Sequence, residues 1–218
     1  MPETIELLLK ELKLPTFARH YQNHQQQALE KGYGHIRYLS GLCEQEAADR
    51  YQKRVQKWYR EANLPVGKGF NGLNLAALPP NVQQAIIGLK EQTDWAQRAG
   101  NVLLIGPSGV GKSHIAAALA GQLIEQGVRV KWFSAVALVQ ALQQAKRDLD
   151  LMTTMTRLDK YQVLIITSNQ PFSRWDSIFP DTMMTVAAID RIIHHSTIIE
   201  IEGDSYRKNQ SLKNKPIS

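Results

Sequence analysis

Eight consecutive residues, Gly106-Pro107-Ser108-Gly109-Val110-Gly111-Lys112-Ser113, carry the spacing G-x-x-x-x-G-K-[ST]. A stretch of this kind can grip a triphosphate tail. The glycines let the backbone curl so that successive amides face inward at phosphate oxygens, a concavity that side chains would obstruct. Lys112 is placed to reach the β- and γ-phosphates, and the Ser113 hydroxyl to ligate Mg²⁺. His114 follows directly and belongs to the same binding stretch. The expected ligand is ATP with Mg²⁺.

The flanks agree with this chemistry. Val102-Leu103-Leu104-Ile105 is a short apolar run, as expected for a strand buried on both faces of a parallel sheet. A helix is expected from Lys112 to Gln126, with Ile115, Leu119 and Leu123 on one face and Gly127 as its stop. Its first turn adds partial positive charge to the phosphate site. Such a loop fixes binding and leaves the reaction open. Nucleotide kinases usually carry it near the N-terminus, whereas here about a hundred mainly helical residues precede it. That layout favours an ATPase with a recognition domain in front.

The elements that must position the loop read as follows. Residues 3–62 are helical, with breaks near Leu14-Pro15 and around Lys31 to Gly34. Residues 63–80 collect Pro, Gly and Asn and form a connector. A helix is expected from an N-cap at Asn81 to Arg98. Strands are expected over 102–105, 128–133, 162–166 and 197–201, and further helices over 135–147 and 182–195. This alternation predicts a doubly wound α/β sheet. The predicted domains are a helical N-terminal DNA-binding or interaction domain (1–62), the connector (63–80), a shortened P-loop ATPase domain (81–208) and a flexible tail (209–218).

Composition narrows the setting. The 218 residues are 43% hydrophobic, enough for a buried core, and the formal net charge of +6 favours a polyanionic partner. Cys43 stands alone, which excludes an intrachain disulfide and suits a reducing compartment. No apolar run approaches a membrane span, and the opening residues do not read as a signal peptide, so a cytoplasmic protein without a membrane partner is expected. His20 and His24 are spaced as an i,i+4 pair, but the sequence offers them no evident third metal ligand.

Three strings together resemble the IstB-like transposition helper ATPases, AAA+ proteins related to DnaC-type helicase loaders: NVLLIGPSGVGKSHIAAALA, TSNQPFSRWDSIFPDTMMTVAAIDRIIHHSTIIEIEG and SYRKNQ. The resemblance spans nearly the whole chain. It implies a parallel AAA+ sheet, cooperative binding of duplex DNA with ATP, largely without sequence preference, and work beside a partner transposase in an ATP-dependent homo-oligomer. It also implies roles by position. Thr167-Ser168-Asn169 resembles the sensor-1 stretch, with Asn169 near the γ-phosphate or the attacking water. Arg191 resembles an arginine finger that reaches the neighbouring subunit's nucleotide. Arg207 is a further candidate, as a second sensor or a DNA contact.

The pattern breaks at one place. AAA+ ATPases carry an apolar strand ending in paired acids, which hold Mg²⁺ through water and polarise the attacking water. Here Gln162-Val163-Leu164-Ile165-Ile166 runs straight into Thr167-Ser168-Asn169, as if the start of one strand were joined to the end of the next. A strand–helix–strand unit takes about 30 residues or more, so one central strand and its helix are expected to be missing. The strand at 128–133 must then pair with the fused strand or be left as an open edge. Asp159 precedes the fused strand, and Asp176 and Asp181 follow Pro171, so none stands where hydrolysis needs an acid. ATP binding with impaired hydrolysis is the expectation.

Arg50, Lys53, Arg54, Lys57 and Arg60 recur at helical spacing with Tyr51, Val55, Trp58 and Tyr59 between them. Such a stripe can meet DNA phosphates without reading sequence. Two other readings stay open: a DnaC-like loader of a replicative helicase, and a non-catalytic DNA- and nucleotide-binding remnant.

Overall fold

The structure, a computed structural model, describes residues 4–98, 100–171, 189–194 and 196–203. The chain divides into two compact units, residues 1–57 and 58–218. The boundary falls inside a helix, five residues before the expected connector begins.

The first unit holds α1 (Ile5–Glu11), α2 (Pro15–Lys31) and most of α3 (His35–Ala62). Leu9 and Leu42 are its buried apolar anchors. Pro15 starts α2 with no N–H to satisfy. The next two amides, of Thr16 and Phe17, donate to the Glu46 carboxylate of α3 at 2.9 and 3.4 Å. Arg50 holds the other Glu46 oxygen at 2.7 Å and donates to the Lys13 carbonyl oxygen at 2.6 Å. Gly32 ends α2 in the left-handed conformation (φ 63°).

The second unit is built on a four-stranded parallel sheet: β1 (Asn101–Ile105), β2 (Val130–Ser134), β3 (Val163–Ser168) and β4 (Ser196–Glu200), in the order β2-β3-β1-β4. The expected α/β class is what forms. β3 is buried along its whole length and β1 beyond Asn101, as their apolar composition requires. β3 pairs with β1 from Val102↔Ile165 to Ile105↔Ser168, and with β2 from Val130↔Val163 to Ser134↔Thr167. β3 therefore serves as a central strand, and β2 is not left unpaired. It also runs past Ile166, taking Thr167 and Ser168 into the sheet.

Helices α6 (Lys112–Glu125), α7 (Ala135–Arg147) and α8 (Leu151–Leu158) make the crossovers. Leu138, Leu142, Leu151 and Met155 bury against Leu103, Leu164 and Ile166, together with Ile189 and Ile192 of the helical residues 189–193. Three expectations need correction. The helix from Asn81 to Arg98 is instead α4 (Pro80–Glu91) and a short α5 (Asp94–Gln97), capped at Pro79. Proline at the first helical position is favoured because its missing N–H costs nothing there, and the break at Gln92-Thr93 lets Trp95 Nε1 donate to the Leu89 carbonyl at 3.0 Å. β2 begins two residues late, because the Val128 amide turns back to close α6 on the Leu123 carbonyl at 2.9 Å. α8 was not expected at all. The expected helix over 182–195 lies largely outside the described residues, as do Arg174, Asp176, Asp181, Arg207 and the 209–218 tail.

Candidate functional site

β1 ends at Ile105, and the chain turns sharply into the glycine loop. Gly106, Gly109 and Gly111 all adopt positive φ, at 152°, 92° and 98°, a region that L side chains avoid. Gly106 is also pressed against β4: a Cβ there would stand 2.3 Å from the Ile201 carbonyl oxygen. Its amide donates to the Ser168 carbonyl at 3.2 Å, and the Ile201 amide to Ile105 at 2.8 Å. The loop is thus tied to β3 on one side and to β4 on the other. Gly111 caps α6, so the helix N-terminus opens at the loop.

Lys112 is the first residue of α6 and only 6% exposed. Its ammonium donates to the carbonyls of Gly106 (2.7 Å) and Pro107 (2.6 Å). The cation is therefore held over the loop whose amides would receive phosphate oxygens.

A cleft of about 1150 Å³ opens beside the loop and takes in Ser108 to His114. Gly106 and Pro107 lie behind it and anchor Lys112. Ser113 lines the cleft, as a hydroxyl ligand for a nucleotide-bound metal must. His114 also has a structural partner that sequence reasoning missed: its Nε2 lies 3.0 Å from the Gly69 carbonyl oxygen in the connector. Residues 63–80 are accordingly part of the site. Phe70–Gly72 and Leu75–Ala77 form 3-10 turns, and Gly72, Leu73 and Pro79 line the cleft.

On the β3 side the cleft meets Thr167, Ser168, Asn169 and Gln170, and beyond them Trp132 and Ser134 of β2. Asn169 therefore stands in the cleft beside the loop. It is fixed there by Ser168, whose Oγ donates to the Gln170 carbonyl at 2.7 Å and accepts from its amide at 3.1 Å. Ser134 is bound to α7, accepting the Ala137 amide at 3.2 Å. Among the described residues the only carboxylate lining the cleft is Glu202. It follows β4, across β1 from Asn169. The carboxyl end of β3 supplies hydroxyls and amides only.

Arg191 does not line the cleft of its own chain. Its guanidinium meets Asp159 at 3.2 Å, both side chains being more than half exposed. Asp159 caps the end of α8 ahead of β3 and does not line the cleft.

The basic residues of α3 fall into two groups. Arg50 is taken up within the first unit by Glu46 and Lys13. Lys53, Arg54, Lys57 and Arg60 are exposed, with Arg54 over the Tyr51 ring at 5.4 Å. Tyr59, which the spacing places in the stripe, turns to α6 and bonds Gly121 O (3.1 Å) and Glu125 (3.0 Å). Burial, reinforced by Glu125, pushes its hydroxyl up to about 12. No helix among the described residues is long and apolar enough to cross a membrane.

Comparison with known proteins agrees with the loop and its setting. An insertion-sequence ATP-binding protein of Sinorhizobium fredii is 35% identical over 240 residues, covering 96% of this chain and 80% of that one. The insertion sequence IS21 ATP-binding protein of Pseudomonas aeruginosa is 27% identical over 240 residues, covering 96% and 90%. Among solved structures, AMPPCP-bound DnaA from Aquifex aeolicus aligns with a TM-score of 0.49 at 14% identity, over 69% of this chain and 56% of that one. The family described as IstB-like ATP binding protein matches residues 7–166 and 160–214, and the chain belongs to that family.

Proposed function

We propose that this chain is an ATP-binding helper of DNA transposition that holds nucleotide firmly and hydrolyses it poorly. The observation that carries this reading is a complete phosphate loop facing a β3 terminus without a carboxylate. Loop amides, Lys112 and the α6 N-terminus bind the triphosphate tail, and Ser113 supplies a hydroxyl to Mg²⁺. Asn169 is positioned to meet the terminal phosphate. Glu202 stands on the other side of β1 from the strand that normally carries the acids, so among the described residues no carboxylate at the β3 terminus is placed to activate the attacking water.

An internal loss within the ATPase domain accounts for this. The two segments of the family match overlap at residues 160–166, where β3 begins. The alignment with the S. fredii relative spans 240 positions, more than the 218 residues of this chain, so that relative carries residues with no counterpart here. The overlap supports a seam at the start of β3, the surplus length supports a loss within the chain, and the continuous β2-β3-β1 pairing is compatible with both.

The exposed cations Lys53, Arg54, Lys57 and Arg60 give α3 a face for duplex DNA, bound without sequence preference. Arg191 serves a neighbouring copy in an ATP-dependent oligomer, and Asp159 holds it while the chain is alone. A transposase is the protein partner, and the cytoplasm the setting. Fluorescent-ATP titration beside a phosphate-release assay tests the central reading. Saturable binding without turnover supports it, and turnover matching that of relatives with paired acids sinks it.

A further inference from the structure

Arg129, Lys131, Arg157 and Lys160 converge on a second cavity, of about 410 Å³, walled by Phe133, Tyr161 and residues of α7 and α8. Arg129 and Tyr161 precede β2 and β3, so its basic end lies at the amino ends of the strands, whereas the glycine loop lies at their carboxyl ends.

Two of the four cations are partly withdrawn from water. The Arg129 side chain is 27% exposed and donates to the Glu61 carboxylate from Nε (3.0 Å) and Nη2 (2.7 Å). Lys131 gives one hydrogen to the Glu61 main-chain oxygen at 2.6 Å, which leaves its other two N–H bonds for further acceptors. Burial pulls its ammonium below the usual lysine range, partly offset by Glu61. The aromatic walls take some of the remaining field: Arg129 sits 4.8 Å from the Tyr161 centroid, and Lys131 5.6 Å from that of Phe133.

At the rim, Arg157 reaches Asp150 only at 3.7 Å, and Lys160 is exposed. Exposed pairs of this kind contribute little. Four cations thus face the carboxylates of Glu61 and Asp150, and the excess is concentrated where the dielectric is lowered and an anion is held more strongly than at an open surface.

We propose that this cavity is a phosphate-binding site whose ligand is a backbone phosphate of a nucleic-acid strand. Lys131 at its floor is the point charge, and Arg157 and Lys160 at its mouth meet neighbouring phosphates. The cavity would be a DNA contact on the ATPase unit that is independent of α3. Inorganic phosphate offers the same chemistry, so the test separates the two sources.

The full chain is compared with Lys131→Met and with the exposed double variant Arg157→Ser/Lys160→Ser. Binding of a short labelled duplex of random sequence is followed by fluorescence anisotropy across a salt series. Both variants are expected to bind several-fold more weakly, with the log–log salt slope reduced by about 0.9 for each lost phosphate contact. ATP affinity should stay at the parent value, which reports an intact fold. If Lys131→Met misfolds, the double variant decides. A parallel Lys53→Ser/Lys57→Ser variant keeps the two surfaces apart: duplex loss there alone leaves the α3 reading standing and overturns this one. Parent-like affinity and slope in both cavity variants overturn it as well, even if inorganic phosphate still binds the parent and not the variants.

Discussion

Gly106 and Ile201 lie so close that any Cβ on the glycine would stand 2.3 Å from the Ile201 carbonyl oxygen. The phosphate loop is therefore wedged against the end of β4 and cannot back away from a side chain. Gly106→Ala meets both this clash and the positive φ of 152°, and it should destabilise the chain by about 2 kcal/mol or more. Gly111→Ala has open space around it and only the φ strain to bear, about 1–2 kcal/mol. Thermal unfolding of the two variants checks the order. A Gly106→Ala melt at or above that of Gly111→Ala would contradict the close approach.

Trp132, in the middle of β2, lines the cleft on the far side of β3. Nucleotide entry should change its emission, and Trp132→Phe should remove most of the nucleotide-induced change while ATP still binds. A change that persists in Trp132→Phe would mean that the ligand does not alter this wall.

Glu46 gives the N-terminal helices a pH dependence. Burial raises its pKa, but Arg50 and the amides of Thr16 and Phe17 outweigh burial and hold the carboxyl below its ordinary 4.5. A depressed pKa contributes stability that is present above the unfolded value and is lost as pH falls through the folded one. Helical signal from the parent should therefore weaken below about pH 4.5. Glu46→Gln should be less stable at neutral pH and should show a smaller acid-linked loss. An identical acid profile in the two proteins would contradict the capping role.

Tyr59 has the opposite sign. Its hydroxyl, raised from 10.0 to about 12, adds stability below pH 10 that is lost as pH rises towards 12. Tyr59→Phe should cost about 1 kcal/mol at neutral pH, the usual net worth of a hydrogen bond, and should remove one late-titrating tyrosine from an absorbance titration. A parent in which every tyrosine titrates near pH 10 would rule out this environment.

The sequence made the phosphate site legible because its chemistry is local: eight adjacent residues and two apolar flanks define it. The four strands were legible for the same reason, as Val102–Ile105 and Val163–Ile166 are apolar runs that a parallel sheet buries. What could not be read was contact across long separations. His114 meets Gly69 45 residues away, so the connector's place in the cleft has no local signature. The stripe on α3 showed a period but not which members were already engaged. Arg50 turns to Glu46, one turn back on α3, and to the Lys13 carbonyl, and Tyr59 turns to Gly121 of α6, contacts that the period of the stripe does not record. Arg191 meets Asp159, 32 residues away in the chain, brought near by the packing of residues 189–193 beside α8.

The central claim is that the curled loop and Lys112 hold a triphosphate tail that the chain scarcely cleaves. The direct measurement is titration of the full chain with a fluorescent ATP analogue, with Lys112→Ala beside it and phosphate release recorded in parallel. Saturable binding is expected, with an affinity at least about tenfold lower in Lys112→Ala through loss of charged hydrogen bonds and phosphate release near background. Folded protein that ignores the analogue, or binds it equally well without the Lys112 ammonium, would contradict the claim.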